Sequence, residues 1–484
     1  MPYKDMRDWI AKLEEEGELK RIRAEVDWNE EIGGITQRVL EMKDRGPALL
    51  FENIKDYSTT PCRKLFTSSL ATYGRIALML GLPKDTPVKE IIRTVRDGVK
   101  TAVKPVMVRQ GSCKENIVKG DKVNILDLPV PKWHANDGGR YINTFGAVIT
   151  KHPREGWTNV GLYRGMIVDE KTIAWGLQAG KHWGQHYHEY RSMGKPMPVA
   201  VVYGWDPIMP FGACAPHPHG VSEYEIMGAL RQAPVELIRC EMVDLEVPAS
   251  AEIVLEGFMP IEPETYEMEG PMGEYTGYYG GARTRRPIMK VTCVTHRNDP
   301  IFQGTLEGHP PTEDSRCSSI NLSVAGWQAL QRLGVPGIID VFCPSTAPIP
   351  DVRVQINKRY HGHAKQVASC LWAASVESYK NVVVVDEDID IYDPDDLEWA
   401  IAYRVDPKED IVILPGSPGS PLDPSVDPKG RDGGGKWNRL LIDATKTWRY
   451  GPREEWGGER FPPKAEVTAE TKQKVDRRWK EYGF

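Results

Sequence analysis

Between about residue 120 and residue 310 the chain abandons helical periodicity and reads as short β-branched segments cut by Gly and Pro, Ile253–Phe258 and Ile288–His296 among them. With one helical stretch at Tyr224–Arg231, this texture predicts a β-rich domain, possible as a barrel. The flanking text is different. Met6, Trp9, Ile10 and Leu13 share one helical face behind Asp5 in N-cap position, and helical spacing returns over 30–42, 76–82 and 88–99 around a strand in ALLFENI. Beyond residue 320 a helix is expected at 323–333, a buried strand in NVVVV at 381–385, a helix capped by Asp393 with Pro394 in its first turn, and a terminal helix over 468–481. The expected fold class is therefore mixed α/β and β, in three domains covering 1–115, 116–318 and 319–484. Residues 415–436 hold five Pro and six Gly and predict a long loop, either a linker or a lid.

A length of 484 residues suits two or three domains of ordinary size. The balance of 62 Lys+Arg against 68 Asp+Glu, a net −6, offers no basic excess for a phosphate backbone, so nucleic acid is not an expected partner. No apolar run approaches the roughly 18 residues of a membrane span. The N-terminus lacks the uncharged core of a signal peptide, which predicts a cytoplasmic protein. None of the eight cysteines forms a CxxC pair, so reduced and mostly buried thiols are expected.

Three clusters could carry chemistry. Glu269 and Glu274 stand five apart across Gly-Pro-Met-Gly; converging on one cavity they would repel, raising one pKa and leaving a proton donor beside a base. The same spacing also suits a solvated turn with two exposed acids. His182, His186, His188, His217 and His219, five of eleven histidines, lie in one stretch with Glu223, a composition open to a divalent metal or to ordinary surface and core roles. Trp183 stands where a zinc protease needs Glu, which disfavours that chemistry. Asn159 and Arg164 are five apart in what reads as a strand, which puts them on opposite faces unless the chain bends. Arg164 suits a bidentate carboxylate or phosphate contact, or a plain salt bridge. There is no GxGxxG, and GRDGGGK at 430–436 lacks the spacing and hydroxyl of a P-loop.

These clusters, with DMRDWIAKLEEEGELKRI, GPALLFENI, GWTNVGLYR, PVAVVYGWDP, GVSEYEIMGALR, EGPMGEYTGYYG, VVVVDEDIDIYDPDDLEWAIAYR and RRWKEYGF, closely resemble the UbiD family of reversible decarboxylases. The resemblance runs along essentially the whole chain. It implies prenylated FMN as cofactor, with Mn2+ (or Mg2+) on Asn159, His182 and Glu223 tying the cofactor phosphate to the protein and K+ nearby. The family's catalytic Glu-Arg-Glu set falls on Arg164, Glu269 and Glu274, with Glu274 as proton donor and Arg164 orienting the substrate carboxylate. Thr144 matches a residue against the flavin, and Lys365, with Lys358 competing, matches a lysine on its phosphate. His309 and Ser315 in one loop and Ser420 and Leu422 in another match the substrate pocket. The other four histidines of the stretch acquire no role.

The implied fold is an N-terminal α/β domain, a central split β-barrel of flavin-reductase type, and a C-terminal α/β dimerisation domain with a terminal helix. The implied assembly is a homodimer or homohexamer. The implied reaction is non-oxidative, reversible decarboxylation of an aromatic, heteroaromatic or α,β-unsaturated carboxylic acid, and His309 and Ser420 lean toward a hydroxylated aromatic acid. A flavin prenyltransferase is the expected cofactor supplier. The alternatives are a non-turnover or carboxylating subunit of a multi-subunit carboxylase, and an unmodified-flavin or metal-dependent hydrolase.

Overall fold

Alternate residues of the strand Met197–Tyr203 feed two different cores: Val199, Val201 and Tyr203 pack on one side and Ala200 and Val202 on the other. This strand lies inside the largest sheet of the computed structural model, which describes residues 3–426 and 435–484. The order of that sheet is Tyr141–Asn143, Gly165–Asp169, Thr172–Trp175, Ile288–His296, Ile253–Met259, Met197–Tyr203, Ala147–Lys151 and Thr158–Leu162, with Asn116–Lys119 joining Ile288–His296. It curls into a nearly closed barrel. The chain itself spans the gap: Thr158–Leu162, at one edge, continues through Tyr163 and Arg164 into Gly165–Asp169, next to the other edge. Asn143 ties this seam, its Nδ2 donating to Tyr163 O and to Gly146 O.

A second sheet runs Leu19–Ile22, Ala48–Phe51, Lys64–Thr67 and Ile301–Gln303, so the N-terminal α/β layer is completed by a strand 237 residues beyond the one it pairs with. The helix Met6–Glu15 packs its expected face, and Asp5 caps it by accepting from Arg7 N–H and Asp8 N–H. A third sheet, ordered Ile338–Phe342, Asp351–Ile356, Asn381–Asp386, Gly435–Ala444 and Ile411–Gly419, buries the continuous valine run between parallel neighbours.

Two expectations need correction. The helix expected at 323–333 begins ten residues earlier and spans Glu313–Arg332, so the expected boundary at 318/319 falls inside it. Its first eleven residues carry Ser315, Ser318, Ser319, Asn321 and Ser323, all buried, and polar residues on an inward face hide a helix from apolar periodicity. The long loop expected over 415–436 is instead strand at both ends: Ser417 pairs with Trp437, Pro418 with Lys436 and Gly419 with Gly435. Pro418 is tolerated because Ile411–Gly419 is an edge strand, with a register shift between Leu414 and Ser417. Residues 427–434, including most of GRDGGGK, lie outside the described residues.

The terminal helix is shorter than expected, Ala469–Arg477 followed by a tight turn at Trp479–Tyr482, with no buried residue in either. All eight cysteines are free thiols. Among the described residues no helix is long and apolar enough to cross a membrane.

Candidate active site

Arg164 stands at the barrel seam, between the two strands that the sequence reads as one. The break at Tyr163 and Arg164 removes the strand parity that would have opposed Asn159 and Arg164. The Arg164 side chain crosses Gly176, where a Cβ would lie 2.8 Å from Nε; only glycine leaves that path open. From there the guanidinium reaches both glutamates of the Gly-Pro-Met-Gly turn. Nη2 donates to Glu269 Oε2 at 2.9 Å, and Nη1 donates to Glu274 Oε1.

The two acids are not a solvated turn: Glu269 is 0% exposed and Glu274 6%. Glu269 accepts a second hydrogen bond, from the Tyr141 hydroxyl to Oε1 at 2.8 Å. Burial raises the pKa of Glu274, and the Arg164 charge opposes that rise without cancelling it. Burial alone would lower the pKa of Arg164, but Glu274 and Glu269 outweigh it and hold the guanidinium charged. The arrangement is one cation shared by two acids of unequal environment, the pattern that separates a proton donor from a fixed carboxylate.

A second group gathers on the strand Thr158–Leu162. Glu223, first residue of the helix Glu223–Arg231, is 3% exposed and accepts from Val160 N–H at 2.7 Å. Asn159 Nδ2 donates to the Tyr163 hydroxyl at 3.3 Å, and the Tyr163 ring stacks on Trp183 at 4.4 Å. His182, just before Trp183 and first in its helix, meets the Trp157 ring edge-on at 5.1 Å. Burial pushes Glu223 up to about 8 and lowers the pKa of His182. Among the described residues no three His, Cys, Asp or Glu side chains gather in a metal-binding set, and this group holds only two such side chains beside a carboxamide.

His186 is buried, with Nδ1 2.9 Å from Thr150 Oγ1, and burial pushes it down to about 3. His188 is exposed, and His219 meets Glu155 at 2.8 Å. His217 is part-buried and lines a small cavity with Asn321 and Gln328.

The remaining expected residues divide. Thr144 is buried and its Oγ1 accepts from Thr305 N–H at 2.9 Å, which anchors the His309 loop to the seam. His309 is exposed, its backbone against Gly277 of the hairpin that carries Glu274. The Ser315 hydroxyl is engaged in a capping box with Thr312 and serves the helix terminus. Ser420 and Tyr275 share a hydrogen bond at 3.0 Å. Leu422 Cδ2 and Glu274 Cγ both pack on Gly280, so the stretch that follows the strand Ile411–Gly419 does reach Glu274. Lys365 is exposed on the helix His363–Ala374, lining a groove with Trp372, Val412 and Leu414, whereas Lys358 Nζ donates to Thr445 Oγ1 and Lys446 O.

Sequence reasoning missed Tyr141, 128 residues from its partner Glu269, and Glu307. Glu307 Oε2 is enclosed with no hydrogen-bond partner among the described residues, and burial, Asp314 and Glu274 together hold its carboxyl well above the usual range. Neither residue belongs to a local motif; only the fold brings them to the site.

Comparison with known proteins covers the same ground. Models of the 3-octaprenyl-4-hydroxybenzoate carboxy-lyase N-terminal, Rift-related and C-terminal domains match residues 10–95, 104–310 and 319–444. An uncharacterised protein of Aquifex aeolicus is 35% identical over 508 residues, covering 100% of this chain and 99% of its own. Vanillic acid decarboxylase of Sedimentibacter hydroxybenzoicus in closed form is 31% identical with a TM-score of 0.89, covering 99% of this chain and 100% of that one. The same enzyme in open form has a TM-score of 0.83. An evolved dimeric form of HmfF from Pelotomaculum thermopropionicum, in complex with prFMN, is 30% identical with a TM-score of 0.79 over 92% of this chain and 96% of that one.

Proposed function

This chain belongs to the UbiD family of carboxy-lyases, and from that premise we propose that it decarboxylates a hydroxylated aromatic acid with prenylated FMN. The observation that carries the reading is Arg164 held between two buried glutamates at the barrel seam. Similarity to a vanillic acid decarboxylase and to a prFMN-bound enzyme supports the substrate class and the cofactor.

Loss of CO2 leaves an electron pair on carbon, and bound prenylated FMN supplies the sink for it. The protein's own part is orientation and proton delivery. Arg164, charged and planar, aligns the substrate carboxylate. Both Glu269 oxygens accept hydrogen bonds, which leaves Glu269 the fixed member of the pair. Glu274, its acid form favoured by burial, gives its proton to the carbon that lost CO2. Leu422 and the Tyr275–Ser420 contact would cover Glu274 from the side of the C-terminal domain. Thr144, on the seam, is the expected flavin neighbour.

Asn159, His182 and Glu223 suit a divalent cation. Glu223 is a buried carboxylate with no basic side chain in ion-pair contact among the described residues, a state that a cation would relieve. Mn2+ or Mg2+ there, with K+ nearby, would anchor the cofactor phosphate. Lys365 remains the proposed phosphate lysine, and His309 and Ser315 the proposed pocket residues beside Ser420 and Leu422. A flavin prenyltransferase would supply the cofactor to a homodimer or homohexamer.

The test is native mass spectrometry of protein co-expressed with a flavin prenyltransferase, followed by CO2 release from vanillate. Bound prenylated FMN with turnover supports the reading; apoprotein despite a confirmed supply overturns it. In the same preparation His182→Ala is expected to lose about tenfold or more in metal and flavin occupancy. Full occupancy in that variant would remove His182 from the metal set.

A further inference from the structure

The turn that carries Glu269 and Glu274 is held from outside by residues with no part in the chemistry above. Gly273 N–H, immediately before the proposed donor, donates to Asp137 Oδ1 at 2.9 Å. Gly138 N–H donates to Pro271 O at 2.8 Å, so the same segment grips the turn at a second point. Asp137 is 6% exposed. Its other oxygen, Oδ2, accepts from His134 N–H at 3.0 Å and faces His134 Nδ1 at 3.3 Å. The His134 ring covers Gly273 in turn, since a Cβ there would lie 2.6 Å from Cε1 and Nδ1. Tyr279, paired with Gly273 across the hairpin, accepts from Asn136 N–H at 3.1 Å.

We propose that Asp137, clamped by His134, is a positioning residue for Glu274, fixing the backbone from which the donor carboxyl reaches Arg164. The inference rests on the assignment of Glu274 as donor made above. A buried carboxylate whose two oxygens bond the donor's own backbone neighbour and the imidazole lying on it sets the donor's origin; a displacement of about 1 Å at such a point costs on the order of 100-fold in rate. Asp137 also adds negative charge near Glu274, reinforcing the rise that burial produces and Arg164 opposes. The other charged or titratable groups bearing on Glu274 are Glu269, Glu307, Asp314 and Tyr275. None of these is hydrogen-bonded to Gly273 N–H among the described residues.

The experiment compares Asp137→Asn and Asp137→Ala in the prenylated-FMN holoenzyme with vanillate, and follows amide exchange of the peptide containing Gly273. Asn keeps an acceptor for Gly273 N–H but deletes the charge. Its kcat is expected to fall about tenfold or less, with the alkaline limb of the pH profile moved to lower pH, because Glu274 must be protonated to donate. Ala loses both functions: kcat falls about 100-fold, KM stays within about threefold, cofactor occupancy is unchanged and exchange at Gly273 accelerates. Wild-type kcat in Asp137→Ala overturns the proposal, as does equal loss of cofactor and activity in both variants, which would mark a merely structural residue. Amide exchange reads the clamp without turnover. A cofactor-loaded wild type inert toward vanillate and other hydroxybenzoates would overturn the functional reading instead, and unchanged exchange at Gly273 in Asp137→Ala would overturn this one.

Discussion

Glu274→Gln is expected to lower kcat for vanillate by about 10²–10⁴-fold while cofactor and metal stay bound. The substitution is close to isosteric, and a carboxamide oxygen can still accept from Arg164 Nη1, so the ion network keeps its shape. What disappears is the ionisable group itself, whose acid form burial favours. Decarboxylation consumes a proton at the carbon that lost CO2, and Glu269 cannot replace the donor because both its oxygens are engaged by Tyr141 and Arg164. CO2 release measured beside cofactor occupancy checks this. Turnover near wild type would mean that Glu274 is not the donor.

Arg164→Ala has the larger structural reach. Removing the cation leaves Glu269 and Glu274 buried and uncompensated, and breaking a buried pair in this way costs about 3–5 kcal/mol. The substrate carboxylate would lose its proposed partner at the same step. The expected result is undetectable CO2 release and earlier thermal inactivation. Arg164→Lys separates charge from geometry: an ammonium keeps the positive charge but presents a point, whereas the guanidinium serves two carboxylates on separate nitrogens. Lysine is expected to restore much of the thermal stability and little of the turnover. An unchanged kcat/KM in either variant would exclude Arg164 from substrate orientation.

How far such a site is legible before folding depends on what each residue contacts. Glu269 and Glu274 are separated by a turn, so their convergence is local and visible as spacing. The valine run of Asn381–Asp386 is equally plain, because a strand buried on both faces needs no alternation. The first half of Glu313–Arg332 is not, since its buried positions include serines and an asparagine satisfied by hydrogen bonds such as that from Asn321 Nδ2 to Phe211 O. Tyr141 and Asp137 bond to the Glu269–Glu274 turn across well over a hundred residues, and no periodicity encodes that distance. The break at Tyr163 was expected only as an exception to strand parity, yet it places Arg164 where the barrel nearly closes.

The side chains around Glu274 have two origins. Arg164, Glu269, Glu274 and Tyr141 all come from the barrel and its hairpins, whereas Ser420 and Leu422 arrive on the stretch that follows the edge strand Ile411–Gly419 of another sheet. An edge strand has a neighbour on one side only, so its continuation can lengthen, shorten or change side chains while the ladders of the barrel stay intact. Under the function proposed above, descendants of one ancestral chain can therefore diverge in the acids they accept by rewriting that single stretch, and inherit the glutamate–arginine half unaltered.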